Sequence, residues 1–219
     1  MRERPLKEIQ LKLYYSPGAC SLSPHIALLE AGLNATLVKV DTKTHKTADG
    51  ADFYAVNPKG YVPLLELDDG QRLSEGPVIV QYIADRNPAS KLAAAAGTME
   101  RYRLQEWLNF ITTELHKQFG PLFQATTPAE YKETLKEKIG KRFDWVAAQL
   151  EGKDYLMGST FTVADGYLFT MLHWTRHVGI DLARWPVLKA YQARVAARPK
   201  VREALLAEGL IKQNEPVTA

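Results

Sequence analysis

Leu11-Lys12-Leu13-Tyr14-Tyr15, then Ser16-Pro17-Gly18-Ala19-Cys20-Ser21, then a helical stretch through Leu33, and finally Thr36-Leu37-Val38-Lys39-Val40 decide the fold. The first five residues are short and alternating and read as a strand. Pro17 fixes φ and Gly18 accepts positive φ, so the strand breaks there. Ile26, Leu28, Leu29 and Leu33 share one side of a helix, and Gly32 marks its end region. A second alternating run follows at Thr36 to Val40. Strand, helix and strand joined by so short a crossover make a right-handed unit with parallel strands.

Downstream, Asp41 to Ala55 is polar and irregular, and Asn57-Pro58-Lys59-Gly60 is turn chemistry. Val62-Pro63-Leu64-Leu65-Glu66-Leu67, the loop Asp68-Asp69-Gly70 and Gln71-Arg72-Leu73 form a hairpin. Ser74-Glu75-Gly76-Pro77 opens a helix, with Pro77 near its first position. The first half is therefore βαβ followed by ββα. After an Ala-rich linker the period is helical throughout. Met99 to Phe119 is one long helix carrying Trp107, Leu108, Ile111 and Leu115. Thr127-Pro128-Ala129-Glu130 and Thr162-Val163-Ala164-Asp165 read as capping boxes. The helix after Asp165 is apolar nearly all round, which makes it the buried centre of the second half. Pro186 opens a further helix, and a short one ends at Gly209. The division expected is an extension at residues 1–10, an α/β domain at 11–88, a linker at 89–98 and an all-α domain at 99–219.

Composition narrows the function classes. The 219 residues are 46% hydrophobic and 24% charged, with a formal net charge of +3, values of an ordinary globular chain. Lys and Arg are scattered through amphipathic stretches, which excludes a nucleic-acid footprint. One cysteine, Cys20, excludes an internal disulfide framework, a multi-Cys zinc site and two-thiol redox cycling. The histidines show no metal-ligand pairing. The first ten residues hold no apolar signal segment, and no apolar run approaches the roughly 20 residues of a membrane span. A soluble, cytoplasmic protein with no metal and no membrane or nucleic-acid partner is expected.

Several residues have the right chemistry for a site. Cys20 sits where a strand ends and a helix begins, where free N–H groups and the helix dipole favour negative charge. That position stabilises a thiolate, its own or a ligand's, with Tyr15, Ser21 or Cys20 donating to it. The plainer alternative is a small buried Cys20 with Ser21 as a cap. Val62-Pro63 begins a strand, and a cis bond there would leave the preceding backbone free to pair with an extended ligand. Ser74-Glu75-Gly76 offers a carboxylate to an amine and free N–H groups to a carboxylate, or is simply a helix start. His116 lies late in the long helix beside Lys117. Trp107, Trp145, Trp174 and Trp185 read as core or interface residues.

Taken in order and spacing, these stretches resemble the cytosolic glutathione S-transferases, and the bacterial beta class in particular. The resemblance is carried by Lys12 to Ser21, Val56-Asn57-Pro58-Lys59-Gly60-Tyr61-Val62-Pro63, Leu73-Ser74-Glu75-Gly76, Glu106 to Phe110, Thr113 to Lys117 and Phe161 to Asp165. It implies a thioredoxin-like N-terminal domain, an all-helical C-terminal domain and a homodimer, with glutathione at the domain junction. Val62 before a cis Pro63 would pair with the cysteinyl backbone of glutathione, and Glu75 and Gly76 would hold its γ-glutamyl end. Cys20 would face the sulfur and can form a mixed disulfide with it, with Tyr15 and Ser21 nearby. Asn109, Thr113 and His116 would contribute from the helical domain. His45 stands where relatives often have a Lys near the glycyl end, with Lys43 and Lys46 as substitutes. Gly76 stands where many relatives have Ser. Thr162 and Asp165 match a folding motif.

The activity implied is conjugation of the glutathione thiol to small hydrophobic electrophiles. A thiol of pKa about 8.5 is only a few per cent ionised at pH 7, and lowering it by about two units takes roughly 2.7 kcal/mol. One helix terminus and two charge-assisted hydrogen bonds supply that much. The alternatives are thiol–disulfide exchange at Cys20, or a non-catalytic protein that binds apolar ligands on the same fold.

Overall fold

The computed structural model describes residues 10–213. The expected N-terminal extension, apart from Gln10, lies outside them. Among the described residues five strands form one sheet in the order β3-β2-β1-β4-β5. They are β1 (Leu11–Tyr15), β2 (Ala35–Asp41), β3 (Lys46–Thr47), β4 (Leu64–Glu66) and β5 (Arg72–Ser74). β1 and β2 run parallel with Leu13 opposite Leu37, as a right-handed crossover through α1 (Leu22–Glu30) requires. β4 pairs antiparallel with β1 and forms the expected hairpin with β5. The two-residue β3, set antiparallel against β2, was not foreseen, because two residues are too few to show alternation.

Strand alternation sorts β1 between two cores. Leu11 and Leu13 face the main core with Leu22, Ile26, Leu65 and Ile79. Tyr14 turns to the other face and joins Val40, Phe53, Val62 and Leu64 in a smaller cluster. The main core does not stop at the sheet. It runs through α1 and α2 (Gly76–Arg86) into α6 (Val163–Val178), α7 (Pro186–Ala196) and α8 (Pro199–Ala207) without a break.

The architecture is thus a thioredoxin-like N-terminal half and an all-helical C-terminal half. The long helix predicted from Met99 to Phe119 is continuous, but it is α3 (Met99–Phe110), a π turn (Ile111–His116) and α4 (Lys117–Phe119). Adjacent threonines accompany the change. Thr112 Oγ1 donates to the Leu108 carbonyl at 2.7 Å and Thr113 Oγ1 to that of Asn109 at 3.1 Å, side-chain bonds that compete with the regular ladder.

In α6, Asp165 is fully buried and accepts from the backbone N–H groups of Leu156 and Thr162, from the Thr162 hydroxyl and from the Tyr191 phenol, all within 2.9 Å. The expected box before α5 (Ala129–Leu150) does not form. Pro128 itself occupies the N-cap, and no side chain caps the helix. Of the two places expected for Trp145, the core is not the one it takes: on α5 it stands 45% exposed beside Trp107 and Phe110.

Candidate active site

The loop between β1 and α1 is the rigid edge of the site. Ser21 is fully buried, donates Oγ–H to the Ser16 carbonyl and accepts the Ser16 N–H, each at 3.1 Å. It staples the loop and makes no side-chain cap bond to α1. At Gly18 (φ +70°) the peptides are gripped from the helical half. Glu208 Oε2 accepts the Gly18 N–H at 2.8 Å, and Trp174 Nε1 donates to the Gly18 carbonyl at 2.7 Å. The other Glu208 oxygen meets His25 Nδ1 at 2.9 Å.

Cys20 comes next, just ahead of α1, and lines a cavity of about 1000 Å³ between the sheet and the helices. Its Sγ–H donates to the Val62 carbonyl at 3.3 Å. The thiolate anticipated at this helix start is not what the surroundings favour. Burial pushes the thiol up to about 11, outweighing the bonds from the Cys20 and Ser21 N–H groups and the Lys117 charge. Tyr15 and Ser21, expected beside the sulfur, do not line the cavity. Tyr15 shares the core-facing side of β1 with Leu11 and Leu13, packs against His25 at 6.3 Å, and is raised in pKa by burial and then by Glu208.

Opposite Cys20, the Val62–Pro63 bond is cis and opens β4. Asn57 Nδ2 donates to the Tyr61 carbonyl at 2.7 Å and holds the approach to that bond. Glu75 stands at the N-cap of α2 with φ +70°, in the left-handed region that a non-glycine residue rarely occupies. Lys59 Nζ reaches its carboxylate at 2.8 Å and Ser74 Oγ at 3.1 Å. That hydrogen bond is the first cause holding the Glu75 carboxyl below its usual range. Gly76 follows as the first residue of α2. Pro77 behind it has no N–H, so the Gly76 N–H stands alone at the helix end.

His45 lies across the cavity at φ +54°, its ring stacked on Tyr54 at 4.6 Å. Its Nδ1 meets the Gly60 carbonyl at 3.1 Å, and since a carbonyl only accepts, Nδ1 carries the proton. Gly60 has to be glycine here: its φ is +68°, and a Cβ would come within 2.6 Å of the Tyr54 ring. Lys43 and Lys46, the expected cations near His45, are not on the cavity wall, whereas Lys59 and Lys117 are.

From the helical half, the π turn aims Thr112 and His116, one turn apart, into the cavity. His116 Nδ1 lies 2.6 Å from the Tyr167 hydroxyl, with its ring edge-on to Tyr167 and Trp174. Burial first, and then the Lys117 charge, bring its pKa down to about 4 against the pull of Glu75, so the imidazole is neutral at pH 7. Asn109 and Thr113, expected to contribute here, are exposed and lie off the cavity wall. Successive residues of a helix point to different sides, so Thr113 turns away when Thr112 faces in. The rest of the wall carries an apolar and aromatic group, Pro17, Phe123, Tyr167, Trp174 and Leu210, beside the polar Ser16, Ser23, Thr42 and His177.

The structure therefore brings Cys20, His45, Val62, Pro63, Glu75, Gly76 and His116 into one cavity and leaves Tyr15, Ser21, Asn109 and Thr113 outside it. Sequence reasoning missed Tyr167 and Trp174 because α6 is apolar nearly all round and gives no sign of which side meets a cavity. Among the described residues no group of three or more His, Cys, Asp or Glu is placed to hold a metal ion, and no helix is long and apolar enough to cross a membrane.

Comparison with known proteins settles the family. Residues 18–86 match the model for the glutathione S-transferase N-terminal domain and residues 110–199 that for the C-terminal domain. The chain belongs to the glutathione S-transferase family. It is 48% identical to the glutathione S-transferase GstA of Escherichia coli O157:H7, over 91% of this chain and all of that one. Among solved structures, a ternary complex of BphK, a bacterial glutathione S-transferase, is 57% identical with a TM-score of 0.89, covering 90% of this chain and 99% of that one. A sphingomonad glutathione S-transferase complexed with glutathione is 50% identical (TM-score 0.88), and a beta-class enzyme of Sphingomonas chungbukensis is 49% identical (TM-score 0.89). Each spans 91% of this chain and all of its own. The chain is a glutathione transferase by these relationships, and its structural neighbours include the bacterial beta class.

Proposed function

We propose that the cavity seats glutathione along the Val62 backbone and activates its thiol for attack on a small hydrophobic electrophile held by the aromatic wall. One observation carries this reading. Cys20, cis Val62–Pro63, the Glu75–Gly76 start of α2 and a neutral His116 converge on one cavity whose far side is Phe123, Trp174 and Leu210. Glu75 meets the γ-glutamyl ammonium, and the free Gly76 N–H at the helix end meets the adjacent carboxylate. His45 lies toward the glycyl end, on the same cavity wall as Lys59. The helix start and the donors around the sulfur lower the thiol pKa, and fixing the electrophile beside it supplies the rest of the acceleration.

The protonated state of Cys20 separates conjugation from disulfide chemistry. A thiol pushed to about 11 and bonded to Val62 is a poor nucleophile at pH 7, which favours glutathione's own sulfur as the attacking atom. In Cys20→Ala, conjugation of an aryl halide is expected to stay within about threefold of the parent, while exchange with glutathionylated substrates is lost. Equal loss of both would put Cys20 into the conjugation step. We further propose a cytoplasmic homodimer with no metal requirement, with residues 11–88 and 99–219 as the two domains. Calorimetric titration with glutathione near pH 7, in two buffers of different ionisation enthalpy, tests the central reading. Binding with proton release supports thiolate formation. Binding without release shifts the assignment to disulfide chemistry at Cys20, and absence of binding removes both.

A further inference from the structure

His116 has one proton to place and two ring nitrogens to place it on. Its Nδ1 faces the Tyr167 hydroxyl at 2.6 Å, leaving Nε2 for whatever occupies the cavity. The ring is held edge-on by Tyr167 on one side (5.8 Å, 87°) and Trp174 on another (5.1 Å, 70°). If Nδ1 carried the hydrogen, Nε2 would be a bare lone pair and His116 a proton acceptor. If the phenol donates to Nδ1, Nε2 carries the hydrogen and His116 is a donor.

The charges around the ring disfavour the proton-accepting role that the first arrangement would give His116. An imidazolium here would sit buried beside Lys117 on its own helix, with Cys20 from the β1–α1 loop protonated and Glu75 at the α2 start already paired to Lys59. The Glu75 carboxylate pulls a proton toward the ring, but burial and the Lys117 charge outweigh it. Tyr167 keeps its own proton, since burial raises its pKa, so its O–H is available to Nδ1, with the Thr112 hydroxyl as its other neighbour.

Resting on the glutathione reading above, we propose that Tyr167 is a positioning residue. Its hydroxyl donates to His116 Nδ1, commits the neutral imidazole to the Nε2–H tautomer, and makes His116 a hydrogen-bond donor to the glutathione sulfur rather than the acceptor of its proton. The balance is simple. The S–H bond breaks, its electron pair stays on sulfur, and the proton leaves to water. His116 neither gains nor loses a proton, and its Nε2–H bonds to the thiolate.

The test measures bound thiolate by its ultraviolet absorbance across pH, as the difference between complexes with glutathione and with S-methylglutathione. Tyr167→Phe is expected to raise the apparent thiol pKa by about one unit, a tenfold loss of thiolate below that pKa. Conjugation at pH 6.5 should fall by a similar factor and recover toward the parent rate above pH 9, with S-methylglutathione affinity within twofold. His116→Gln, which keeps a terminal N–H donor but cannot take up a proton, should retain more thiolate than His116→Ala. The proposal is overturned if the thiol pKa in Tyr167→Phe equals that of the parent, or if the Gln and Ala variants lose thiolate equally. The second comparison stands even if Tyr167→Phe does not fold. A parent protein that binds neither glutathione nor S-methylglutathione would instead overturn the glutathione reading itself.

Discussion

Gly76 is a residue at which one added group has room to act. A Cβ built on it meets nothing closer than Pro63 Cγ at 3.9 Å, and its φ is not in the left-handed region. Gly76→Ser would place a hydroxyl beside the lone Gly76 N–H, where the glutathione carboxylate is proposed to lie. A hydrogen bond to a charged group is worth about 1.5 kcal/mol, so KM for glutathione should fall by roughly tenfold at unchanged kcat, read from initial rates at saturating electrophile. An unchanged or raised KM would move the carboxylate away from this helix start. Glycine at this position was visible from its neighbours in the chain. The state of Cys20 was not, because the groups that bury it come from elsewhere: the Val62 carbonyl lies 42 residues along the chain. Local sequence showed the helix start and its pull on a thiolate but not the desolvation that overrides it.

Elements were readable where one pattern persists for several turns or strands. The period along α5 and α6, the alternation in β1 and β2 and the Asp68-Asp69-Gly70 turn all led to the observed elements. They failed where a local choice competes. Pro128 takes the cap position that the Thr127–Glu130 spacing suggested, and Thr112 and Thr113 bond back to carbonyls within a helix that then widens. The capping residue of α6 was readable because Asp165 has no rival there. Asp165→Ala would leave two buried backbone N–H groups and the Thr162 hydroxyl without their acceptor, and the Tyr191 phenol with only its 3.4 Å bond to the backbone carbonyl of residue 165. At about 1–3 kcal/mol for each unsatisfied buried group, a loss of at least about 3 kcal/mol is expected from urea unfolding. Asp165→Asn, which keeps one acceptor oxygen, should lose less. Equal losses would mean that the charge matters more than the hydrogen bonds.

Across the whole molecule, a core that runs unbroken from the sheet to α8 should melt as one unit, and acid should weaken it in a defined window. His116 and His173 are both buried neutral, with pKa values lowered to about 4 and about 3, in each case first by burial. A lowered histidine pKa means that between pH 6.5 and those values the unfolded chain binds more protons than the folded one. Stability is then full above pH 6.5 and lost as pH falls, by up to about 1.4 kcal/mol per pH unit for each group. The urea midpoint should drop between pH 7 and pH 5, and His173→Gln should flatten that dependence by roughly half. A parent midpoint constant over this window would show that neither histidine is held neutral. The parts of the site least apparent in the sequence belong to this scale too, since Glu208 and Trp174 reach the cysteine loop only after the whole chain has folded. That clamp has a consequence for synthesis. A ribosome emits Gly18 a full 190 residues before the carboxylate that fixes it and 156 before the indole. A nascent chain can thus form its sheet early while its cysteine loop stays unclamped, and the finished cavity appears in one late event, when α8 comes home.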